Sequence, residues 1–392
     1  MRAFGARPAV AIGAIWLATR LTGLVGMVTA KHGDLGAALG AAATNTYDAS
    51  WYRAIAAHGY VDPHLGGPVT IFYPGYPLAV AAVYWPVKLV GSLAVGTNQF
   101  SPFAADVLLP AVMLLVSNLA LLAALLVLWR LYGARLGATS TVLGIGFLLA
   151  APTGFFLSAG YSESLFILAA ALAFLFAENG RWIVAGLAGA AACLIRFPGA
   201  FLLVPLVIIW LRTDRPRRLT TAAIGAGLFA AGAVAYPAWL WANTGDPLAY
   251  LHLQNTHHRG LAGPWTALAA MTDQVRNATR ALRGHPSNQR LVDVPTIAAN
   301  SLALVAGVAT AVLGWTRLRA YEVAWVILVF LVPLFTGTGE SLDRYWLAAF
   351  PVFFLIGWWL RRWPVAAIGL MALSTVWLFV LSYNFARVIW VG

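Results

Sequence analysis

The chain has 392 residues, of which 61% are hydrophobic and 10% are charged, whereas about a quarter of the residues are charged in an ordinary soluble domain. This composition excludes a soluble globular protein and indicates a polytopic membrane protein. The net charge of +12 would suit a nucleic-acid ligand, but the basic residues lie mainly in short turns between apolar runs, so we predict no nucleic-acid partner. The single cysteine, Cys193, excludes a disulfide within the chain.

Apolar runs long enough to cross a hydrocarbon core of about 30 Å recur along the chain. We predict membrane segments at about 9–30, 104–130, 138–158, 163–177, 181–195, 197–211, 219–242, 295–315, 321–336, 345–360 and 364–384. The first segment is too long for a cleaved signal peptide and is expected to remain as an anchor. The predicted fold class is therefore an all-α polytopic membrane protein, with a single domain over 1–392, about 11–13 transmembrane helices and interfacial helices in the first outer loop.

The distribution of basic residues predicts which ends of the segments face the cytoplasm. The amino terminus and the turns "RLYGARLG", "ENGR", "RTDRPRR", "TRLR" and "RRWP" are basic, and we assign them to the cytoplasm. The other face then receives two long loops, at about 31–103 and 243–294, and these contain all seven histidines. A further apolar stretch at about 76–97 is predicted to be re-entrant or interfacial, broken at Pro86 and Lys88. We therefore predict a multi-pass protein of the cell membrane with an extracytoplasmic active site.

The first outer loop contains "NTYDASWYRAIAAHGY" at 45–60, where a carboxylate stands among aromatic rings. A surface helix over 48–58, ended by the following glycine, would place Asp48, Trp51 and Tyr52 on one face. A carboxylate at the bilayer edge can act as a general base toward a substrate hydroxyl group. Alternatively, Asp48 is only a helix N-cap and the two rings are interfacial aromatics.

Further polar residues follow in the next outer segments. Asp62, which precedes a proline, either forms a turn or orients an acceptor. In "SAGYSESLF", Tyr161 and Glu163 stand at a helix start, where the intervening serine can cap the helix and the carboxylate meets the positive end of its dipole; a buried carboxylate facing a cavity is the alternative. Arg196 in "LIRFPG" lies between two apolar helices, where an arginine must be paired or face water, and it would suit the phosphate of a lipid-linked substrate.

The second outer loop opens with "GDPLAYLHLQNTHH", which contains Asp246, His252 and Gln254. We interpret these residues as hydrogen-bonding groups for a sugar, or as a structural cap over a cavity. The histidine spacing matches no HExxH pattern, so we predict neither a metal site nor a cofactor. In "GESLDRYW", Arg344 and Tyr345 stand at another outer helix start, where the arginine either forms an ion pair or contacts phosphate.

Six segments in this order resemble signature segments of the PIG-V family, the second mannosyltransferase of GPI-anchor synthesis and its bacterial relatives. They are "YDASWYRAIAAHGY", "FYPGYPL", "GYSESLF", "LIRFPG", "GDPLAYLHLQ" and "DRYWLAAFP", and the similarity covers about residues 10–355. The resemblance implies a GT-C class membrane glycosyltransferase with many helices, an aspartate in the first outer loop and a polyprenyl- or dolichyl-phosphate sugar as donor.

Carried over residue by residue, the resemblance implies a role for each matching position. It implies Asp48 as the catalytic base with Trp51 and Tyr52 beside it, Arg196 and Arg344 as contacts to the donor phosphate, and Glu163, Asp246 and Gln254 as cavity lining. One departure is the segment "FYPGYPL", because family members often have "FFPLYPL" there.

The resulting hypothesis is an inverting glycosyltransferase, a mannosyltransferase by resemblance, that moves a sugar from a polyprenyl-phosphate donor to a glycolipid or another cell-envelope acceptor. The expected partners are membrane lipid, the lipid-linked donor and the glycan acceptor. A transporter or flippase for a lipid-linked sugar and a non-catalytic subunit of an envelope glycosylation complex are the alternatives. The chain has no GxxxxGK[ST] or GxSxG pattern, which argues against nucleotide-driven transport and α/β-hydrolase chemistry.

Overall fold

The computed structural model describes residues 6–43, 47–60, 69–212, 219–254, 260–285 and 290–391. Within these ranges the chain forms helices joined by short turns, and it forms no β-strand. Six helical segments are long and apolar enough to cross a membrane: Arg7–Ala30, Gly75–Val95, Thr97–Leu136, Leu219–Thr244, Leu291–Thr316 and Pro364–Ala386. The prediction of an all-α polytopic membrane protein is confirmed.

The first half of the chain has nine α-helices in its described part. They are α1 (Ala6–Ala30), α2 (Leu35–Ala43), α3 (Asp48–His58), α4 (Gly75–Val95), α5 (Thr97–Phe103), α6 (Leu109–Leu136), α7 (Ala138–Leu149), α8 (Glu163–Glu178) and α9 (Trp182–Ile195). Helix α3 has the bounds expected from the sequence. It ends at Gly59, whose φ of 77° is a backbone conformation that glycine adopts without a steric penalty.

The described part of the second half also has nine α-helices. They are α10 (Leu203–Arg212), α11 (Leu219–Thr244), α12 (Ala249–His252), α13 (Pro264–Leu282), α14 (Val294–Leu313), α15 (Ala320–Leu334), α16 (Leu342–Ala348), α17 (Pro351–Leu360) and α18 (Pro364–Ala386). Helices α9 and α11 pack with their backbones in contact, because a Cβ added at Gly186 would overlap the carbonyl group of Gly225. Small residues commonly permit this approach between membrane helices.

Helix α4 and the start of the next helical segment form an apolar hairpin. The chain enters it at Tyr76, turns at Gly96 and returns beside its starting point, where the Tyr76 hydroxyl donates to the carbonyl oxygen of Met113 at 3.0 Å. The hairpin therefore begins and ends at the same level of the bundle. The expected break at Pro86 is wrong, since α4 continues through it, and the Lys88 ammonium lies 4.6 Å from the ring centre of Trp85.

Helix α7 ends earlier than the sequence predicts, at Leu149 instead of about 158. A buried, irregular segment at 150–162 then leads into α8. Backbone without helical hydrogen bonds is tolerated at membrane depth only where the protein itself satisfies it. Here Arg20 of α1 donates to the carbonyl oxygens of Leu149 and Gly154, both at 2.8 Å, so this arginine stabilises the segment and does not extend toward water.

Direct contacts define the two ends of the bundle. At one end the start of α8, the end of α9 and helix α16 meet, because Glu163 forms ion pairs with Arg196 and Arg344. At the other end the carboxyl terminus of α6 contacts the start of α15 through Arg135 and Glu322. We call these the cavity end and the opposite end.

Candidate active site

A cavity of about 1160 Å³ opens at the cavity end of the bundle. Its wall combines charged, aromatic and aliphatic side chains that come from most of the chain. Of the predicted site residues, Asp48, Trp51, Tyr52, Arg196, His252, Gln254, Arg344 and Tyr345 line it. The sequence analysis therefore identified much of the polar part of this wall.

Four charged residues form a connected group at the cavity wall, which we call the quartet: Asp48, Glu163, Arg196 and Arg344. Arg344 bridges the two carboxylates, since its Nη2 lies 2.9 Å from Oδ2 of Asp48 and 2.7 Å from Oε1 of Glu163. The same Glu163 oxygen accepts from Nη1 of Arg196 at 2.6 Å. The quartet contains two positive and two negative groups, so charge balance lowers the cost of burying it.

The carboxylate of Asp48 is the more accessible of the two. Its side chain is 24% exposed, whereas that of Glu163 is 2% exposed. The alternative that Asp48 serves only as an N-cap does not fit, because Tyr47 occupies the cap position of α3 and no side-chain capping hydrogen bond forms there. Asp48 instead pairs with Arg344 at the edge of the cavity.

Aromatic rings surround this carboxylate, as the spacing on α3 predicts. Trp51 stacks against Phe72 with ring centres 6.0 Å apart. Tyr52 is buried, and its hydroxyl lies 3.2 Å from Oγ of Ser162. The segment after α3 is held by a second tyrosine, because the hydroxyl of Tyr236 donates to the carbonyl oxygens of Thr70 and Phe72. These contacts fix the part of the wall that α3 and residues 69–72 form.

Tyr161 and Glu163 lie behind the wall and do not line the cavity. The ring of Tyr161 is 5.1 Å from the guanidinium carbon of Arg344, and Oε1 of Glu163 accepts from both arginines. The capping alternative does not describe this helix start, since Ser162 forms no capping hydrogen bond. The two residues therefore hold the arginines from behind.

The arginines are oriented toward the cavity by different neighbours. Arg344 is 6% exposed and also lies 4.6 Å from the ring centre of Phe156. Arg196 follows the end of α9 in an extended conformation, with its guanidinium carbon 5.3 Å from the ring centre of Tyr345. Stacking on aromatic rings leaves guanidinium N–H groups directed along their plane, where they can bind an oxyanion.

The second outer loop contributes at the mouth of the cavity. His252 and Gln254 line the cavity and Asp246 does not. The ring Nδ1 of His252 lies 2.6 Å from Oδ2 of Asp246, and this hydrogen bond, with one from the backbone N–H of Leu248, holds the pKa of the Asp246 carboxyl below its usual value. Asp246 therefore positions His252.

The sequence analysis missed much of the aromatic lining, including Tyr250 and Trp390. Tyr250 of α12 packs edge-on against Tyr73 with ring centres 5.4 Å apart. Trp390 follows α18 and packs edge-on against Tyr47 at 5.0 Å. The aromatic character of Tyr250 beside His252 was a usable signal, but nothing local links Trp390 to a loop more than three hundred positions earlier.

Some predicted features fall partly outside the described ranges. Asp62 lies outside them, as do His257 and His258. Among the residues that the structure describes, no group of three or more His, Cys, Asp and Glu side chains could hold a metal ion. The prediction that the protein has no metal site stays a prediction.

A scan against protein-family models and a search of curated proteins find no match to this chain.

Proposed function

We propose that this protein is a GT-C class membrane glycosyltransferase. It transfers a sugar, mannose by the family resemblance, from a polyprenyl-phosphate donor to a glycolipid or another cell-envelope acceptor. The observation that carries the proposal is the quartet: three charged side chains from distant parts of the chain line one large cavity, and the fourth, Glu163, holds two of them from behind. Ionisable groups gathered in a cavity of a membrane protein are functional candidates, because burying them is costly.

The two arginines supply the phosphate contacts that such a donor needs. A phosphodiester carries one negative charge and accepts charge-assisted hydrogen bonds from planar guanidinium groups. Arg196 and Arg344 both reach the cavity and share one buried partner, Glu163. The shared carboxylate fixes the spacing of the two cations, which preorganises them for an anion.

An apolar part of the cavity adjoins the arginines and suits an isoprenoid chain. It is lined by Leu328, Leu331 and Val332 of α15 and by Phe201 of the turn that precedes α10. Aliphatic and aromatic lining beside a cationic group favours an amphiphile whose phosphate lies at one end of a hydrocarbon. This combination favours a lipid-linked donor over a water-soluble sugar nucleotide.

The proposed step is an inverting displacement at the anomeric carbon. A lone pair of the acceptor hydroxyl oxygen forms the new bond to this carbon, while the bond from the carbon to the phosphate oxygen breaks with its electron pair. The hydroxyl proton moves to a carboxylate oxygen of Asp48. The products are the glycosylated acceptor, protonated Asp48 and a lipid phosphate with one additional negative charge.

The quartet matches this redistribution of charge. Before the step, Asp48 and Glu163 balance the two arginines. After Asp48 gains the proton, the quartet has an excess of one positive charge, at the moment when the leaving phosphate gains one negative charge. Arg344 contacts both carboxylates, so the charge that it no longer shares with Asp48 is available to the leaving group.

The test is a transfer assay with the purified protein in lipid nanodiscs. Polyprenyl-phosphate mannose and a panel of glycolipid acceptors are supplied, and the transferred sugar is detected by mass spectrometry. We expect transfer by the wild-type protein and a rate lower by a factor of about 10²–10⁴ for Asp48→Asn, which keeps the shape of the side chain and removes the base. Asp273→Asn on the exposed surface of α13 is the matched control and should retain the wild-type rate.

Each outcome bears on a specific part of the proposal. Substantial transfer by Asp48→Asn would remove Asp48 from the role of base. Movement of the lipid-linked sugar across the bilayer without transfer to any acceptor would instead identify a transporter. Unfolding of Asp48→Asn is excluded by comparing its thermal melting curve with that of Asp273→Asn.

A further inference from the structure

The opposite end of the bundle carries several arginines, and some of them are paired. Nη1 of Arg135 donates to Oε2 of Glu322 at 2.8 Å, and Arg319 forms an ion pair with Glu178. The acidic partners are half-buried or buried side chains at helix ends. These arginines therefore have a structural explanation within the bundle.

Three other arginines at this end lack such a partner. Arg317, Arg361 and Arg362 form no ion pair with any carboxylate in the part of the chain that the structure describes. Two of them are close together, because the guanidinium carbons of Arg317 and Arg361 lie 4.2 and 3.9 Å from the ring centre of Trp358, and Arg362 is the next residue in the chain after Arg361. The two carbons can thus be no more than about 8 Å apart.

Mutual repulsion makes this arrangement unusual. Burial and the neighbouring charges of Arg362 and Arg317 lower the pKa of Arg361. Like charges within about 8 Å of each other destabilise one another, and an anion bound beside them relieves this repulsion. A single phosphate group can join two guanidinium groups at this separation, since each charge-assisted hydrogen bond is about 2.8 Å long.

Backbone contacts hold two of the three arginines in place. Nη1 of Arg135 lies 3.5 Å from the carbonyl oxygen of Arg317, so the ion-paired arginine also contacts the turn before α15. Arg361 donates to the carbonyl oxygen of Trp358 in the last turn of α17. Both side chains are attached to ends of packed helices, which reduces the conformational entropy lost when a ligand binds.

Exposed tryptophans indicate where an anion would come from. Trp315 is 56% exposed and Trp363 is 61% exposed, and they flank the three arginines in sequence. Tryptophan side chains prefer the boundary between the hydrocarbon and the lipid headgroups. We therefore expect the arginines beside them to lie at the depth of lipid phosphates.

We propose that Arg317, Arg361 and Arg362 form a binding site for a phosphate anion, carried by the headgroup of an anionic phospholipid in the leaflet at the opposite end. Trp358 forms the platform between two of the guanidinium groups. The site is separated from the quartet by the length of α15, about 22 Å for fifteen residues. It does not depend on the proposed sugar transfer.

The experiment compares two variants that remove equal charge from the two ends. Arg317→Gln/Arg361→Gln/Arg362→Gln removes the site, and Arg276→Gln/Arg280→Gln/Arg283→Gln removes three arginines at α13. Each protein is delipidated in a neutral detergent, and phosphatidylglycerol, phosphatidylcholine with the same acyl chains, or inorganic phosphate is titrated while adducts are counted by native mass spectrometry. We expect wild-type and α13 variants to prefer phosphatidylglycerol, and the site variant to bind it about a hundredfold more weakly.

The arms separate the two sources of phosphate. Binding of phosphatidylglycerol that depends on the three arginines supports a lipid site. If only inorganic phosphate binds in a way that depends on these arginines, the site is one for the free anion and the lipid source is wrong. The proposal is overturned if neither ligand binds, or if both triple variants lose phosphatidylglycerol to the same extent. Should the site variant fail to fold, the single variant Arg361→Gln is titrated instead, and several-fold weaker binding is expected of it.

Discussion

At the scale of single residues, Glu163 is the support of the candidate site. One of its oxygens accepts three hydrogen bonds from two arginines, while Oε2, also buried, has no hydrogen-bond partner among the described residues. Removing a buried carboxylate that pairs with two cations costs more stability than breaking one ion pair, because both positive charges are then left uncompensated. Glu163 thus sets the positions of the groups that reach the cavity.

Replacing this carboxylate should destabilise the protein. We expect Glu163→Gln to lower the free energy of unfolding by about 3–5 kcal/mol, as when one partner of a buried ion pair is removed. The double variant Glu163→Gln/Arg196→Gln removes one charge of each sign and should recover part of the loss. Thermal unfolding followed by tryptophan fluorescence measures both. A double variant no more stable than the single one would contradict charge balance as the cause.

At the scale of elements, the break between α7 and α8 determines where the site can form. Because α7 stops at Leu149, the following segment can turn inside the bundle and deliver α8 with its first residue, Glu163, beneath the arginines. Side chains from other helices satisfy the irregular backbone: Arg20 at Leu149 and Gly154, and Ser374 at the carbonyl oxygen of Ala150 at 2.6 Å.

Arg20 should therefore matter for stability although it does not line the cavity. Arg20→Met leaves two backbone carbonyl groups without their donor, and each unsatisfied group costs about 1–3 kcal/mol. We expect a loss of about 2–4 kcal/mol in thermal or denaturant unfolding in detergent. Arg7→Met in the same helix, where the side chain is exposed, is the control and should change stability by less than about 0.5 kcal/mol. Equal effects of the two substitutions would exclude this role.

Sequence patterns predicted the helices more completely than they predicted the candidate site. Long apolar runs and glycine at the end of α3 predict helices because hydrophobic length and backbone freedom are local properties. The motifs also identified Asp48, Arg196 and Arg344 as candidates. That Arg344 bridges two carboxylates, and that Trp390 reaches the same wall, depends on tertiary packing, which no local pattern contains. The early end of α7 was missed for the same reason, since its stabilising donors belong to other helices.

At the scale of the whole molecule, the α4 hairpin sets the parity of the helices. Its two arms are antiparallel, since a Cβ added at Gly91 near the turn would contact the ring of Phe100. The chain therefore leaves and re-enters the bundle at the cavity end. Because the hairpin starts and ends at the same end of the bundle, it does not reverse the orientation of the helices that follow. The basic turns of the sequence therefore stay on one side.

This arrangement is tested by single cysteines in a Cys193→Ala background. Asn98→Cys lies near the tip of the hairpin, Asn243→Cys at the end of α11 and Thr316→Cys before α15, and all three positions are exposed. With a membrane-impermeant maleimide applied to intact cells, we expect Asn98→Cys and Asn243→Cys to react and Thr316→Cys to react only after permeabilisation. If Asn98→Cys, like Thr316→Cys, reacts only after permeabilisation, the hairpin crosses the membrane.

The charge balance of the quartet also determines how the empty cavity wall responds to voltage. With all four groups ionised its charges sum to zero, so a transmembrane electric field exerts no net force on the empty cavity wall, although one unit charge carried across the whole membrane would change energy by about 2.3 kcal/mol per 100 mV. An anionic ligand in the cavity brings an uncompensated charge into that field. Membrane potential would therefore act more strongly on an anionic ligand in the cavity than on the four ionised groups of the quartet.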